Sequence, residues 1–432
     1  MPDQPPLFGP ELRGLRLSAG LSLTRLSQLV HYSKSQLSKV ERGLKAPSPQ
    51  LARLCDAALN AHGRLAALVP EEPAATEPTE TNDDGEVWIM QLSPDGASWF
   101  RPVNRRQVVA AGAAAGVSTA FGLGIGPAAA SAPAVGATLL DGARTLFDQY
   151  RRMGQTSSPQ LVLPALIAQT HTLRELAERS RSRTRDGLLT LASRYAEYVG
   201  WLTQEAGDEK AALWWTDRAV ELAAAGGDHD LAAYALVRRA LVTFYRGDAP
   251  RTVALAQQAQ GDQLPPRITG LAAQQEAQGH ALAGDYDACM RSLDRARRFL
   301  GANTSHHDAP VIGSTHLPDS VSMITGWCLH DLGRPREAAA VLDRETARIS
   351  EEAVRTRVRY GMRQALAHAT AGEIERACEL ARPLLIASSG VASATITVDV
   401  HRLARTLHRF HEQRVVRELS PHLAAALHGY GA

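Results

Sequence analysis

The chain has 432 residues with 47 Lys+Arg, 45 Asp+Glu and a formal net charge of +2; at roughly 100 to 200 residues per domain, this length implies two or three domains rather than one core. Aromatic residues make up 5% and the apolar set 44%, mostly Ala, Leu and Val, which favours closely packed helices and argues against an all-β sandwich. Charge is segregated: residues 1–69 hold 9 Lys+Arg against 4 Asp+Glu, while residues 70–100 hold none against 8, so these segments have different tasks.

From Leu7 to Leu68 a helical period is interrupted at Gly20, at His31-Tyr32-Ser33, at Gly43 and at Pro47-Ser48-Pro49, which predicts five short helices in one small domain, residues 1–69. Residues 70–103 begin with a stretch rich in Pro, Glu, Thr and Asp that has little apolar period, and they are expected to form an acidic flexible linker. Residues 104–140 form an Ala/Gly-rich connecting segment, uncharged from Gln107 onward; 107–140 holds six glycines and two prolines and is poor in Leu, Ile and Phe. The stretch 108–126 is long enough to cross a bilayer but weakly apolar, so stable membrane association is not expected. Asn104-Arg105-Arg106-Gln107 before this run resembles a twin-arginine export signal, but its place behind the first domain argues against export.

Residues 141–432 return to helical pattern and repeat. Gly207-Asp208, Gly247-Asp248, Gly284-Asp285, Gly333-Arg334 and Gly372-Glu373 recur at intervals of 40, 37, 49 and 39 residues, each between two helical stretches. A glycine can end one helix in the left-handed conformation, the polar residue opens the next, and small residues such as Ala281, Ala283 and Ala288 let the pair approach. These turns, best developed at Gly279–Ala296 and Gly326–Leu342, resemble tetratricopeptide repeats. The resemblance implies an α-solenoid of antiparallel helix pairs, so the expected fold class is all-α: a small five-helix domain followed by that solenoid.

The most specific pattern is Leu12 to Pro49, LRGLRLSAGLSLTRLSQLVHYSKSQLSKVERGLKAPSP. It resembles the helix-turn-helix of the Xre/Cro repressor family. Leu23 to Val30 would be the first helix of the motif and Lys34 to Arg42 the recognition helix, with Ser33 as its N-cap. Leu37 and Val40 would face the core beside Leu26, Leu29 and Leu54, leaving Lys34, Ser35, Gln36, Ser38 and Lys39 for DNA. The resemblance implies base reading by Lys34, Ser35 and Lys39, and phosphate contact by Gln36, Arg42 and Lys45; lysines reach guanine O6 and N7. It also implies an ion pair between Arg16 and Glu41. Leu23 stands where relatives carry a phosphate-contacting Gln, a task left to Thr24 or Arg25, and His31 reads as a solvated turn residue.

No catalytic constellation stands out, so the chain is not expected to be an enzyme, and neither a cofactor nor a metal is called for. His306, His307, Asp308 and His316 lack metal-ligand spacing. Trp214, Trp215, Tyr245 and Trp327 read as repeat core more readily than as a ligand groove. The four cysteines are scattered and no secretory signal opens the chain, which fits a reducing cytoplasm. The expected function is that of a bacterial, sequence-specific transcription regulator that binds double-stranded DNA as a homodimer. Its repeats would receive a peptide, small-molecule or protein signal. The alternative is a repeat scaffold for protein partners, with or without a membrane tether, that has little specific DNA binding.

Overall fold

The structure is a computed structural model that describes residues 7–69, 86–92, 98–104, 133–261, 263–301 and 312–428. Chain packing divides it into two compact units: the first joins Met1–Glu72, Gly154–Ser157 and His229–Ala432, and the second joins Pro73–Met153 and Ser158–Asp228.

The first unit opens with a helical head: α1 (Phe8–Ser18), α2 (Leu23–Val30), α3 (Lys34–Glu41) and α4 (Pro49–Leu59), followed by a 3₁₀ turn at Ala66–Leu68. Three serines start three of these helices, because Ser22, Ser33 and Ser48 each accept a hydrogen bond from a backbone N–H three residues on. Pro49 follows its cap at the first helical position, where a missing N–H costs nothing. Leu12, Leu26, Leu37, Leu51 and Leu65 are fully buried, with Val30, Val40 and Leu54 beside them. Leu29 departs from expectation: it is 43% exposed. The expected fifth helix is a single 3₁₀ turn, and its entry is tied down by Asp56, whose carboxylate accepts from the N–H groups of Leu65 (3.0 Å) and Ala66 (2.7 Å).

Ten helices continue this unit: α9 (Leu231–Tyr245), α10 (Ala249–Gln258), α11 (Pro266–Ala283), α12 (Tyr286–Gly301), α13 (Ser320–Asp331), α14 (Pro335–Thr346), α15 (Val354–Thr370), α16 (Ile374–Val391), α17 (Ala394–His408) and α18 (Arg414–His428). Consecutive helices pack as pairs, and α9, α11, α13, α15 and α17 pack in series, which gives a helical repeat-like region. Its turns at Gly247, Gly284, Gly333 and Gly372 all hold φ between 78° and 86°, a conformation that side chains with a Cβ rarely adopt. Asp248 and Asp285 then accept from the N–H groups of Arg251 and Ala288, opening α10 and α12. The core is built from small residues, including Ala273, Ala277, Ala281, Ala296 and Ala338, around Phe244 and Trp327. Trp327 is 3% exposed and packs edge-on against Phe244, Tyr245 and Tyr360, so this aromatic set is repeat core.

The second unit contains α5 (Pro133–Thr156) apart from its last residues, α6 (Pro159–Glu178), α7 (Ser182–Glu205) and α8 (Glu209–Ala225). Gly207 turns between α7 and α8 with φ 90°, and Asp208 caps α8 through Ala211 N–H. Trp215 is buried. Within the span expected as a flexible linker, Glu86–Leu92 pairs antiparallel with Ser98–Asn104. The reason is legible in retrospect: Val87, Trp88 and Ile89 face Val103, Pro102 and Arg101 across the ladder, and β-branched and aromatic residues favour strands. The acidic composition upstream obscured that short run. Residues 105–132, including the twin arginines and the whole of 108–126, lie outside the described residues, as do His306, His307 and Asp308.

Candidate nucleic-acid interface

The head presents α3 along one side. Leu37 and Val40 point into the core, and the helix period then leaves the other positions outward. Lys34, Ser35, Lys39, Arg42 and Lys45 are exposed, and Gln36 and Ser38 are half-buried. The Ser33 hydroxyl accepts from Gln36 N–H at 3.2 Å. The remaining free N–H groups at that end form a positive helix terminus suited to an anionic backbone. Arg42 folds back so that its Nε donates to the Ser38 carbonyl at 3.2 Å. Thr24 and Arg25 at the start of α2 are exposed. Lysines and an arginine on one face, with no carboxylate among these positions, make a surface that attracts phosphate.

What orients α3 is the end opposite its cap. Arg16 Nε donates to Glu41 Oε1 at 2.6 Å, Nη2 to Oε2 at 3.0 Å, and Nη1 to the Leu21 carbonyl at 2.8 Å. This two-pronged pair has side chains only 9% and 7% exposed. The hydrogen bond to Glu41 raises the Arg16 pKa against the opposing effect of burial. Gly9 lets α1 lie close to the same end, since a Cβ there would stand 2.6 Å from the Val40 carbonyl oxygen.

A second surface of the head, separate from α3's outward face, touches the repeats. His31 is not the solvated turn residue expected from sequence. It is half-buried at φ 52°, its carbonyl accepts from Arg409 Nη2 at 2.8 Å, and its ring lies against Gly372, 2.7 Å from where a Cβ would stand. Arg409 also stacks over Tyr32, 4.1 Å from the ring centre. Gln50 Nε2 donates to Thr370 Oγ1 at 3.4 Å. Sequence reading missed these contacts because they join residues more than 300 positions apart.

Burial, then the charges of Arg336 and Arg409, lower the His31 pKa below its ordinary 6.5. A depressed histidine value favours the neutral ring in the docked state, so its contribution is present above 6.5 and is lost as pH falls through the lowered value. Protection factors of the Tyr32 and Ser33 amides, corrected for the intrinsic pH dependence of exchange, should therefore be lower at pH 5.5 than at pH 7.5, and His31→Asn, which tolerates the left-handed backbone, should flatten the difference. An unchanged pH dependence in that variant would remove His31 as its source.

Residues 7–69 match a family model described as a helix-turn-helix domain. The head is a helix-turn-helix DNA-binding domain. No curated protein and no solved structure matches the chain. The helix-turn-helix domain thus carries the functional assignment, that of a DNA-binding regulator, with α2 and α3 as its two motif helices. Among the described residues there is no group of His, Cys, Asp and Glu arranged to hold a metal ion, and no helix is long and apolar enough to cross a membrane.

Proposed function

We propose that the chain is a bacterial cytoplasmic transcription regulator of the Xre type and not an enzyme. It reads double-stranded DNA as a homodimer through Lys34, Ser35, Gln36, Ser38, Lys39, Arg42 and Lys45, and its tetratricopeptide-like repeats receive a peptide, small-molecule or protein signal. The observation that carries the reading is the exposed, serine-capped helix α3 in a head that matches the helix-turn-helix family model. A repeat surface is suited to the input because stacked helix pairs present an extended face to a ligand. Two heads are required because a single small domain makes few contacts, and half-sites about 34 Å apart would place both recognition helices on one face of the duplex.

The test uses the full-length chain and a duplex enriched by it from a randomised pool. Lys39→Ala should lower affinity for that duplex about tenfold while leaving random duplex nearly unchanged. Arg42→Ala should weaken both alike and reduce the steepness of the salt dependence. Parent-like binding by both variants would remove α3 as the reading element and favour a protein-scaffold role.

A further inference from the structure

The repeat turns do more than reverse the chain. Three consecutive ones lie against the head. The Cβ position of Gly284 is 3.4 Å from Ala66 Cβ and from Gly63 Cα, that of Gly333 falls on the Arg53 backbone carbonyl, and that of Gly372 is 2.7 Å from the His31 ring. All three glycines have positive φ. At Gly333 the neighbour is backbone, which cannot rotate away, so the absence of a side chain is required by the contact as well as by the turn. Around this strip the Arg409–His31 hydrogen bond, the Arg409–Tyr32 stack and the Gln50–Thr370 hydrogen bond join other points of the same two bodies. Thr370 Oγ1 also lies 3.4 Å from His330 Nε2, so the residue that receives Gln50 belongs to the polar interior of α13 and α15.

The head residues in these contacts are His31, Tyr32, Gln50, Arg53, Gly63 and Ala66. None is among the residues assigned to DNA, and Lys34, Ser35, Lys39, Arg42 and Lys45 stay exposed while the contact is made. His31 and Tyr32 immediately precede Ser33, the cap of α3, so gripping them fixes where the recognition helix begins. A contact that sterically masked the reading face would leave those lysines covered, and they are open.

We propose that the docked arrangement is the DNA-binding state, in which the turn glycines Gly333 and Gly372, together with Arg409, are positioning residues for the recognition helix. This rests on the head reading DNA. A docked head meets the duplex with its orientation already fixed, whereas a released head must be ordered on binding, which costs affinity. Change within the repeats acts on DNA by holding or releasing this grip.

The experiment locks and releases the head in the full-length chain. For the lock, Gln50→Cys and Thr370→Cys are bridged with a short bismaleimide; Thr370 is as buried as the native Cys55, Cys289, Cys328 and Cys378, so peptide mapping verifies that the bridge joins the new pair. For release, Arg409→Ala removes both the hydrogen bond to His31 and the stack on Tyr32. Binding is measured to the duplex enriched by the parent and to random duplex, and hydrogen exchange is followed at Tyr32, Arg53 and Ala66. The bridged protein should bind the enriched duplex within about twofold of the parent, whereas Arg409→Ala should exchange faster at those amides and lose about tenfold in affinity for the enriched duplex only. Loss of binding on bridging, or equal or tighter binding by Arg409→Ala, would overturn the proposal while leaving DNA reading intact. A parent that enriches no duplex at all would overturn the DNA-reading function, and this proposal with it.

Discussion

Glu41→Ala is expected to destabilise the head by roughly 2 to 3 kcal/mol, somewhat below the ~3 to 5 typical of breaking a fully buried pair. The substitution leaves Arg16 with its Leu21 contact but without either of its Glu41 bonds, at a side chain 9% exposed. The stranded guanidinium must remain desolvated or swing out, and either course loosens α1 from the end of α3. Hydrogen exchange at the α1 and α3 amides of the full chain should accelerate about 30- to 150-fold, the exchange equivalent of that free energy. Exchange at parent rates would mean that the core leucines alone fix α3 and that the ion pair is incidental. Because α3 carries Lys34 to Lys39, affinity for the enriched duplex should fall with the same variant.

Asp399→Ala is expected to cost the repeats about 3 to 5 kcal/mol, for the same physical reason in a drier place. Arg363 is 1% exposed and donates through Nε to Asp399 Oδ2 at 2.7 Å. Its guanidinium lies 3.7 Å from the centre of the Trp327 ring. Asp331 is the remaining acid, with Oδ1 3.7 Å from Nη1. Burial pushes the Asp331 pKa up, but the hydrogen bond from His330 and the charges of Arg363 and Arg402 hold it well below the usual carboxylate range. Asp331 therefore limits the loss without replacing the missing partner. Thermal unfolding followed by tryptophan fluorescence should show the drop, and joining Asp399→Leu to Arg363→Met should recover part of it, since the apolar pair removes the stranded guanidinium while buried Asp331 keeps only His330 and Arg402. A double variant as unstable as Asp399→Ala would show that the cost is packing and not charge.

How much of this was legible in the sequence depends on how local the cause is. Ser33 as the cap of α3, Leu37 and Val40 as its inward residues, and the turn glycines at 207, 247, 284, 333 and 372 follow from interactions within a few positions: a hydroxyl reaching an N–H three residues on, a 3.6-residue period, and a backbone that needs φ above zero. The Arg16–Glu41 pair, 25 positions apart, was reached only through resemblance to a family. Leu29 was misplaced because periodicity identifies an apolar face without showing whether a neighbour covers it. The hairpin at 86–104 was missed because composition averaged over the acidic stretch hid two seven-residue strands.

The sequence by itself therefore determined a predominantly helical chain, the position of its recognition helix and the turns of its repeats, because caps, periods and glycine conformations are short-range effects. Only the tertiary structure decided that the head rests on those turns. That contact needs Gly333 to meet the Arg53 backbone and Arg409 to meet His31 and Tyr32. Residues so far apart are brought together by the stacking of successive helix pairs, whose curvature is the sum of many small packing choices and is written in no single segment.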